Sequence, residues 1–181
     1  MTATVRTAVI TAAVIAASVA GSAPAVATGG HHGHGRVAVH DSLRDLQPAT
    51  ADPTDGARAS LVMRSRHGHT TVVLRVRGMD LASAGRHFGA HLHVGACVAG
   101  DGAAAGPHYN TDTLAGQVPP RVDATTEVWL DFTVTQRGTG YAVARVPFVP
   151  EPGNRAIVVH RDPTDEHGVA GPRLACLPVA W

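Results

Sequence analysis

Beyond residue 28, apolar positions alternate with polar ones in short runs and nowhere recur at the three-to-four-residue spacing of a helix face. Ser60 to Arg66, Thr70 to Arg77, His87 to Val94, Glu127 to Thr135, Tyr141 to Pro147 and Ala156 to His160 each alternate or are rich in β-branched residues, which predicts strands. The intervening sequence carries turn chemistry. Arg66-His67-Gly68-His69 and the stretch from Gln136 to Gly140 predict hairpin turns, and Gly78-Met79-Asp80 and Pro152-Gly153-Asn154 predict strand breaks. Many short strands without helices predict an all-β fold, an antiparallel sandwich or barrel. Two stretches break the rhythm, Gly95 to Thr126 and Arg161 to Leu174, and long ordered loops on a β scaffold commonly carry function.

The N-terminal pattern is different. Met1 to Arg6 is short and singly basic, Thr7 to about Ala20 is small and apolar, and Ala25-Val26-Ala27 matches a cleavage site, so residues 1–27 are expected to be a secretory signal peptide. The apolar stretch is too short and too rich in alanine to remain as a membrane span, and no cysteine near the cleavage site offers a lipid anchor. Residues 28–57 are rich in Gly, His, Asp and Pro; they are expected to form a flexible arm with at most one short strand, around Val37 to His40. Residues 58–181 are left as one β domain, and export would make the protein extracellular, periplasmic or held in the cell envelope.

Charge excludes one class of function. Without Arg6 the chain has 14 arginines against 14 acidic residues and no lysine, and the arginines are dispersed with no basic run. That pattern is not the footprint of a nucleic-acid-binding protein.

The candidate chemistry lies in histidines and cysteines. In His91-Leu92-His93 two imidazoles flank one apolar residue, and on an extended chain both rings turn to the same face and can reach one ion. Further histidines, His108 and His160, would have to arrive from distant segments, which a β scaffold allows. An all-nitrogen ligand set suits Cu(II) in a square-planar arrangement. Cys97 and Cys176 are open to two readings, a disulfide and a pair of buried thiols; export favours the bridge. Closing a loop of 79 residues stabilises a fold by about 4 kcal/mol on the chain-entropy argument. His31-His32-Gly33-His34 in the arm reads either as a copper-capturing tail or as solvated chain. His40, His67, His69 and His87 read as strand or turn residues facing solvent.

The segments HLHVGAC, AGPHYN, VVH and AGPRLAC, in that order over roughly Ala59 to Pro178, resemble the copper/zinc superoxide dismutase family. The resemblance implies an eight-stranded Greek-key antiparallel β-barrel of immunoglobulin-like sandwich topology, with the metal on its outer face. It implies copper ligation by His91, His93, His108 and His160, with His108 in the position that bridges copper and zinc. It also implies a Cys97–Cys176 disulfide, and an active-site role for Arg173 in orienting the anion.

The departures are specific. The family's zinc ligands follow the bridging histidine, but Tyr109 to Thr126 contains no histidine, so zinc is not expected and the chain resembles the copper-only branch. In place of the zinc, a carboxylate is expected to hold the second nitrogen of His108; Asp131 is the first candidate and Glu127 the second. The segment from His160 to Cys176 is shorter than the family's electrostatic loop. The expected function is a secreted superoxide dismutase acting on the superoxide anion at copper. The alternative is a copper-binding or buffering protein on the same barrel with little turnover.

Overall fold

The structure, a computed structural model, describes residues 35–181. The expected signal peptide and the His31–His34 motif lie outside the described residues. The strands, in chain order, are β1 (Gly35–Ser42), β2 (Arg44–Asp45), β3 (Arg58–Arg66), β4 (His69–Arg77), β5 (His87–Phe88), β6 (Ala90–His93), β7 (Phe132–Thr133), β8 (Thr139–Val146), β9 (Asn154–His160) and β10 (Arg173–Ala180). They form two four-stranded antiparallel sheets, ordered β1-β3-β4-β8 and β2-β10-β9-β6, and a small β5-β7 pair. The α-helix among the described residues is one turn, α1 (Thr111–Leu114), capped by the Asn110 side chain.

Alternation in the sequence decides which residues meet between the sheets. Leu61 and Met63 of β3, Val72, Leu74 and Val76 of β4, and Ala144 and Val146 of β8 face Leu92 of β6, Ile157 and Val159 of β9, and Leu177 and Val179 of β10 in one core. Burying each such branched side chain contributes about 1.5–3 kcal/mol. β9 is buried on both sides: Ala156 and Val158 point the other way, into a second cluster with Leu46, Cys97, Ala105 and Cys176. That cluster lies beneath the loop after β6, so the far side of this sheet is roofed by irregular chain.

The fold is all-β, as expected, but the sheets do not close into a barrel. Side-chain packing, and not a continuous ladder of backbone bonds, joins the two layers. The arm expected over residues 28–57 is, from Gly35 on, part of the fold. β1 pairs with β3 along its whole length, from Gly35↔Ser65 to Ser42↔Arg58, while Leu43, Leu46 and Ala57 are buried. These isolated apolar residues among Gly, Pro and Asp carry no periodicity, which is why pattern alone reads them as mobile.

The strand expected from His87 to Val94 is broken at Gly89. A Cβ there would sit 2.6 Å from Ala170 Cβ and 2.9 Å from the Asp162 carbonyl oxygen, so only glycine lets the loop after β9 approach this closely. In Glu127 to Thr135 only β7 is a regular strand, yet Leu130 N–H donates to the Ala90 carbonyl at 2.7 Å and Leu92 N–H to that of Val128 at 3.3 Å. The segment therefore runs beside β6 in irregular register. β10 was not expected, because Pro178 and the cysteine interrupt its pattern.

Candidate metal centre

The alternation that sends Ala90 and Leu92 into the core turns His91 and His93 out on the roofed side of the same sheet. β9 runs alongside, with His91 paired to Val158 and His93 to Ala156, and His160 ends it on that side. His108 comes from the roofing loop, held by an antiparallel bridge to His93 and by Tyr109 N–H donating to the Leu92 carbonyl at 2.8 Å. One nitrogen from each of the four rings lies within 4.8 Å of the others. His91, His93 and His160 are buried, whereas the His108 side chain is 18% exposed, so the cluster opens at His108.

Each ring is anchored from outside by one nitrogen, which leaves the other for the centre. His93 Nδ1 donates to the Gly106 carbonyl and His160 Nδ1 to the Gly171 carbonyl, both at 3.0 Å. Their Nε2 atoms then face each other at 3.3 Å. His108 Nδ1 donates to Glu127 Oε2 at 2.9 Å. His91 is turned the other way round. Its Nε2 lies 2.7 Å from Thr164 Oγ1, and that hydroxyl spends its own proton on Asp131 Oδ1 at 2.6 Å, so His91 Nε2 is the donor and Nδ1 carries the free electron pair. Nδ1 of His91 is buried with no hydrogen-bond partner, a costly arrangement for a polar atom unless something else completes it. Four imidazoles with one nitrogen each turned to a common centre, one of those nitrogens orphaned, fit a transition-metal ion.

Electrostatics agree with that reading. Burial pushes His93 down to about 3 and His160 down to about 4, despite the carbonyls that stabilise their charged forms. Burial, followed by the charges of the other three rings, pushes His91 lower still. All three are therefore neutral ligands throughout the physiological range, with no proton to displace. Burial acts to raise Glu127, but hydrogen bonds from His108, Asn110 and Trp129 outweigh it and hold the carboxyl below the usual carboxylate range. A buried anion thus sits directly behind the one ring that meets solvent.

The carboxylate behind His108 is Glu127 and not Asp131, which the sequence analysis placed first. Glu127 is 3% exposed and accepts further bonds from Asn110 Nδ2 and Trp129 Nε1, both at 2.9 Å. Asp131 serves the opposite side: it takes the Thr164 N–H at 2.7 Å and stands 3.8 Å from His91 Nε2. Residues 127 and 131 fall on the same side of an alternating segment, so spacing alone cannot rank them. Arg173 pairs with His160 across β9 and β10, and its guanidinium donates to the carbonyls of Gly102 and Gly106, the latter at 2.7 Å. Cys97 and Cys176 are disulfide-bonded, which ties the roofing loop to β10 near Arg173. No helix among the described residues is long and apolar enough to cross a membrane.

Sequence reasoning missed Thr164, Asn110 and the carbonyls of Gly106 and Gly171. Trp129 left a faint signal, an indole two residues from Glu127 on the same face of the segment; the others left none, because their roles depend on loop closure.

No protein-family model matches the sequence, and no curated protein matches it. Solved structures do resemble it. The clock protein EA4 is 17% identical, with a TM-score of 0.54 over 83% of this chain and 98% of that one. Two mutants of a SOD-like protein from Bacillus subtilis are each 17% identical over 78% of this chain, with TM-scores of 0.55 and 0.52 over 97% and 95% of theirs. At this identity the likeness shows the fold: an SOD-like β-sandwich.

Proposed function

We propose that this chain is an exported, copper-dependent superoxide dismutase that works without zinc, on a Greek-key arrangement of its two sheets. The observation that carries the reading is the four-imidazole cluster with every outer nitrogen anchored, and with Glu127 occupying the place behind His108. No histidine lies between Tyr109 and Thr126 to bind a second ion. The ligand set expected from sequence, His91, His93, His108 and His160, has the neutral nitrogen donors that suit copper in both oxidation states.

Copper, when bound, supplies one-electron chemistry, so that two superoxide anions and two protons become one oxygen and one hydrogen peroxide. The residues do the rest. Glu127 fixes the proton of His108 on Nδ1 and stabilises the ring when Nε2 takes up a second proton, which can then pass to the reduced anion at the solvent-facing side. Thr164 and Asp131 fix His91 in the tautomer that presents Nδ1. Arg173, held rigid by two carbonyls, keeps its remaining N–H groups for a small anion beside His160. With zero net charge over residues 35–181, attraction at long range is weak and Arg173 acts by docking.

The test is reconstitution with copper, counting copper and zinc per chain and measuring superoxide consumed per copper, for the parent and for His108→Ala. Activity far above aqueous copper that collapses in the variant supports the proposal. A protein that holds one copper yet consumes superoxide no faster than the free ion is instead a buffer.

A further inference from the structure

The arginines that are scattered along the sequence gather on one surface. On the outer face of the β1-β3-β4-β8 sheet, alternation presents Arg58, Arg64 and Arg66 from β3 and Arg75 and Arg77 from β4, all exposed. The flanking strands add Arg36 and Arg145. Strand register brings them together: Arg36 lies beside Arg64, Arg58 beside Arg77, and Thr71 carries the line from Arg64 to Arg145. The outward positions also include His40 and His69, but no Asp or Glu. Seven of the 14 arginines of residues 35–181 are on this face, and all 14 acidic residues are elsewhere, so the rest of the molecule has 7 − 14 = −7. None of the seven is in an ion pair among the described residues.

The centre of the face is recessed and apolar. Val62, Val73 and Val143 lie in register across β3, β4 and β8, and a groove of about 320 Å³ runs over Val62 and Val73 between Arg64 and Arg75. A second, of about 330 Å³, is lined by His40, Arg58, Arg75 and Arg77. With strands ~4.8 Å apart and ~3.3 Å per residue, the face measures about 14 by 26 Å.

From this we infer that the outer face of this sheet is a docking surface for a linear anionic glycan, one bearing sulfate, phosphate or carboxylate groups. Unpaired guanidiniums on both sides of shallow grooves match a chain of regularly spaced anions, each taken by a bidentate fork. A second copy of this chain docked through the same face would oppose seven cations to seven. A bilayer surface calls for several large apolar or aromatic side chains between the cations, whereas for these this face has only valines and the single aromatic Tyr141. Single-stranded nucleic acid calls for stacking platforms, but Tyr141 is the one aromatic on the face and lies beneath the Arg75 guanidinium at 5.6 Å. The four histidines are on the outer face of the other sheet, so a glycan-held molecule keeps that site turned to solution.

The probe is heparin, a sulfated linear glycan, titrated against the full chain at increasing sodium chloride, with double-stranded DNA and anionic phospholipid vesicles as parallel arms. Heparin is expected to bind at low salt, with log affinity falling linearly against log salt. Arg64→Gln with Arg75→Gln is expected to weaken binding about tenfold or more and to lower that slope by about 2, by counterion release. Arg137→Gln with Arg161→Gln, exposed and off this face, is expected to change neither. Absence of heparin binding at low salt, equal loss in both double variants, or tighter binding of DNA or vesicles than of heparin each overturns the inference.

Discussion

Replacing Glu127 by glutamine tests the centre where its polar connections are densest. The carboxylate receives His108 Nδ1 and Trp129 Nε1 on Oε2 and Asn110 Nδ2 on Oε1, each at 2.9 Å. Glutamine can keep its oxygen towards His108 and Trp129, but its NH₂ then meets the Asn110 NH₂, donor against donor. Asn110 is not free to turn its amide over: its Oδ1 takes the Thr113 N–H at 3.0 Å and its Nδ2 also donates to the Arg121 carbonyl at 2.7 Å. One buried hydrogen bond is therefore lost and two fall from charge-assisted to neutral, partly offset by the relief of an ion held out of water. The net cost is about 1–3 kcal/mol, or about 3–10 °C in Tm for a domain of this size. A ring whose outer partner has lost its charge is a poorer and looser ligand, so copper affinity should fall about 10–100-fold. Thermal melts of the metal-free protein and competition titration of copper against a chelator read the two effects separately. Copper affinity within twofold of the parent together with an unchanged Tm would refute the role given to Glu127.

Three more outcomes follow from the same geometry. In the metal-free protein, His93 and His160 ordinarily titrate at 6.5 but are held at about 3 and about 4 when folded; above pH 6.5 neither state is protonated, and below it only the unfolded chain takes up protons. Stability should therefore fall from pH 7 to pH 5 by about 2 kcal/mol for each ring, and urea midpoints that do not move would contradict the burial of neutral histidines. Gly106→Ala places a Cβ 2.9 Å from Val94 Cγ2 on a backbone with φ of +67° and ψ of −162°, a conformation kept for glycine, so it should cost about 1–3 kcal/mol and lower copper affinity as well; a stable variant with normal affinity would show that the loop tolerates the shift. Thr164→Val removes the hydroxyl between His91 Nε2 and Asp131 without changing side-chain volume; copper affinity should drop about tenfold, and parental affinity would mean that burial alone orients His91.

The chelate was legible because it is local: two imidazoles at a spacing of two on a strand must share a face, whatever the surrounding fold. His108 and His160 were legible through the motifs around them, AGPHYN and VVH. The order of Glu127 and Asp131 was not, since both face the same side of one segment and only the turn of the roofing loop decides which meets His108. β10 was missed for a related reason, because Cys176 and Pro178 interrupt its apolar residues and only its partner β9 identifies it, while β1 showed in the sequence only as the short run Val37 to His40 and gains its full length from pairing with β3. The basic face was hidden by the period of a strand: arginines at every second position on neighbouring strands look dispersed in one dimension and crowd together in two.

The Gly106 carbonyl accepts from His93 Nδ1 and from Arg173 Nη2, which occupies both of its lone pairs. On the proposed function, retention of the ion and capture of the substrate therefore hang on one peptide oxygen and are not independently adjustable through this loop. A change that retunes either trait here retunes the other, so variants that separate them have to be sought at Gly102 or Gly171, where each side has an acceptor of its own.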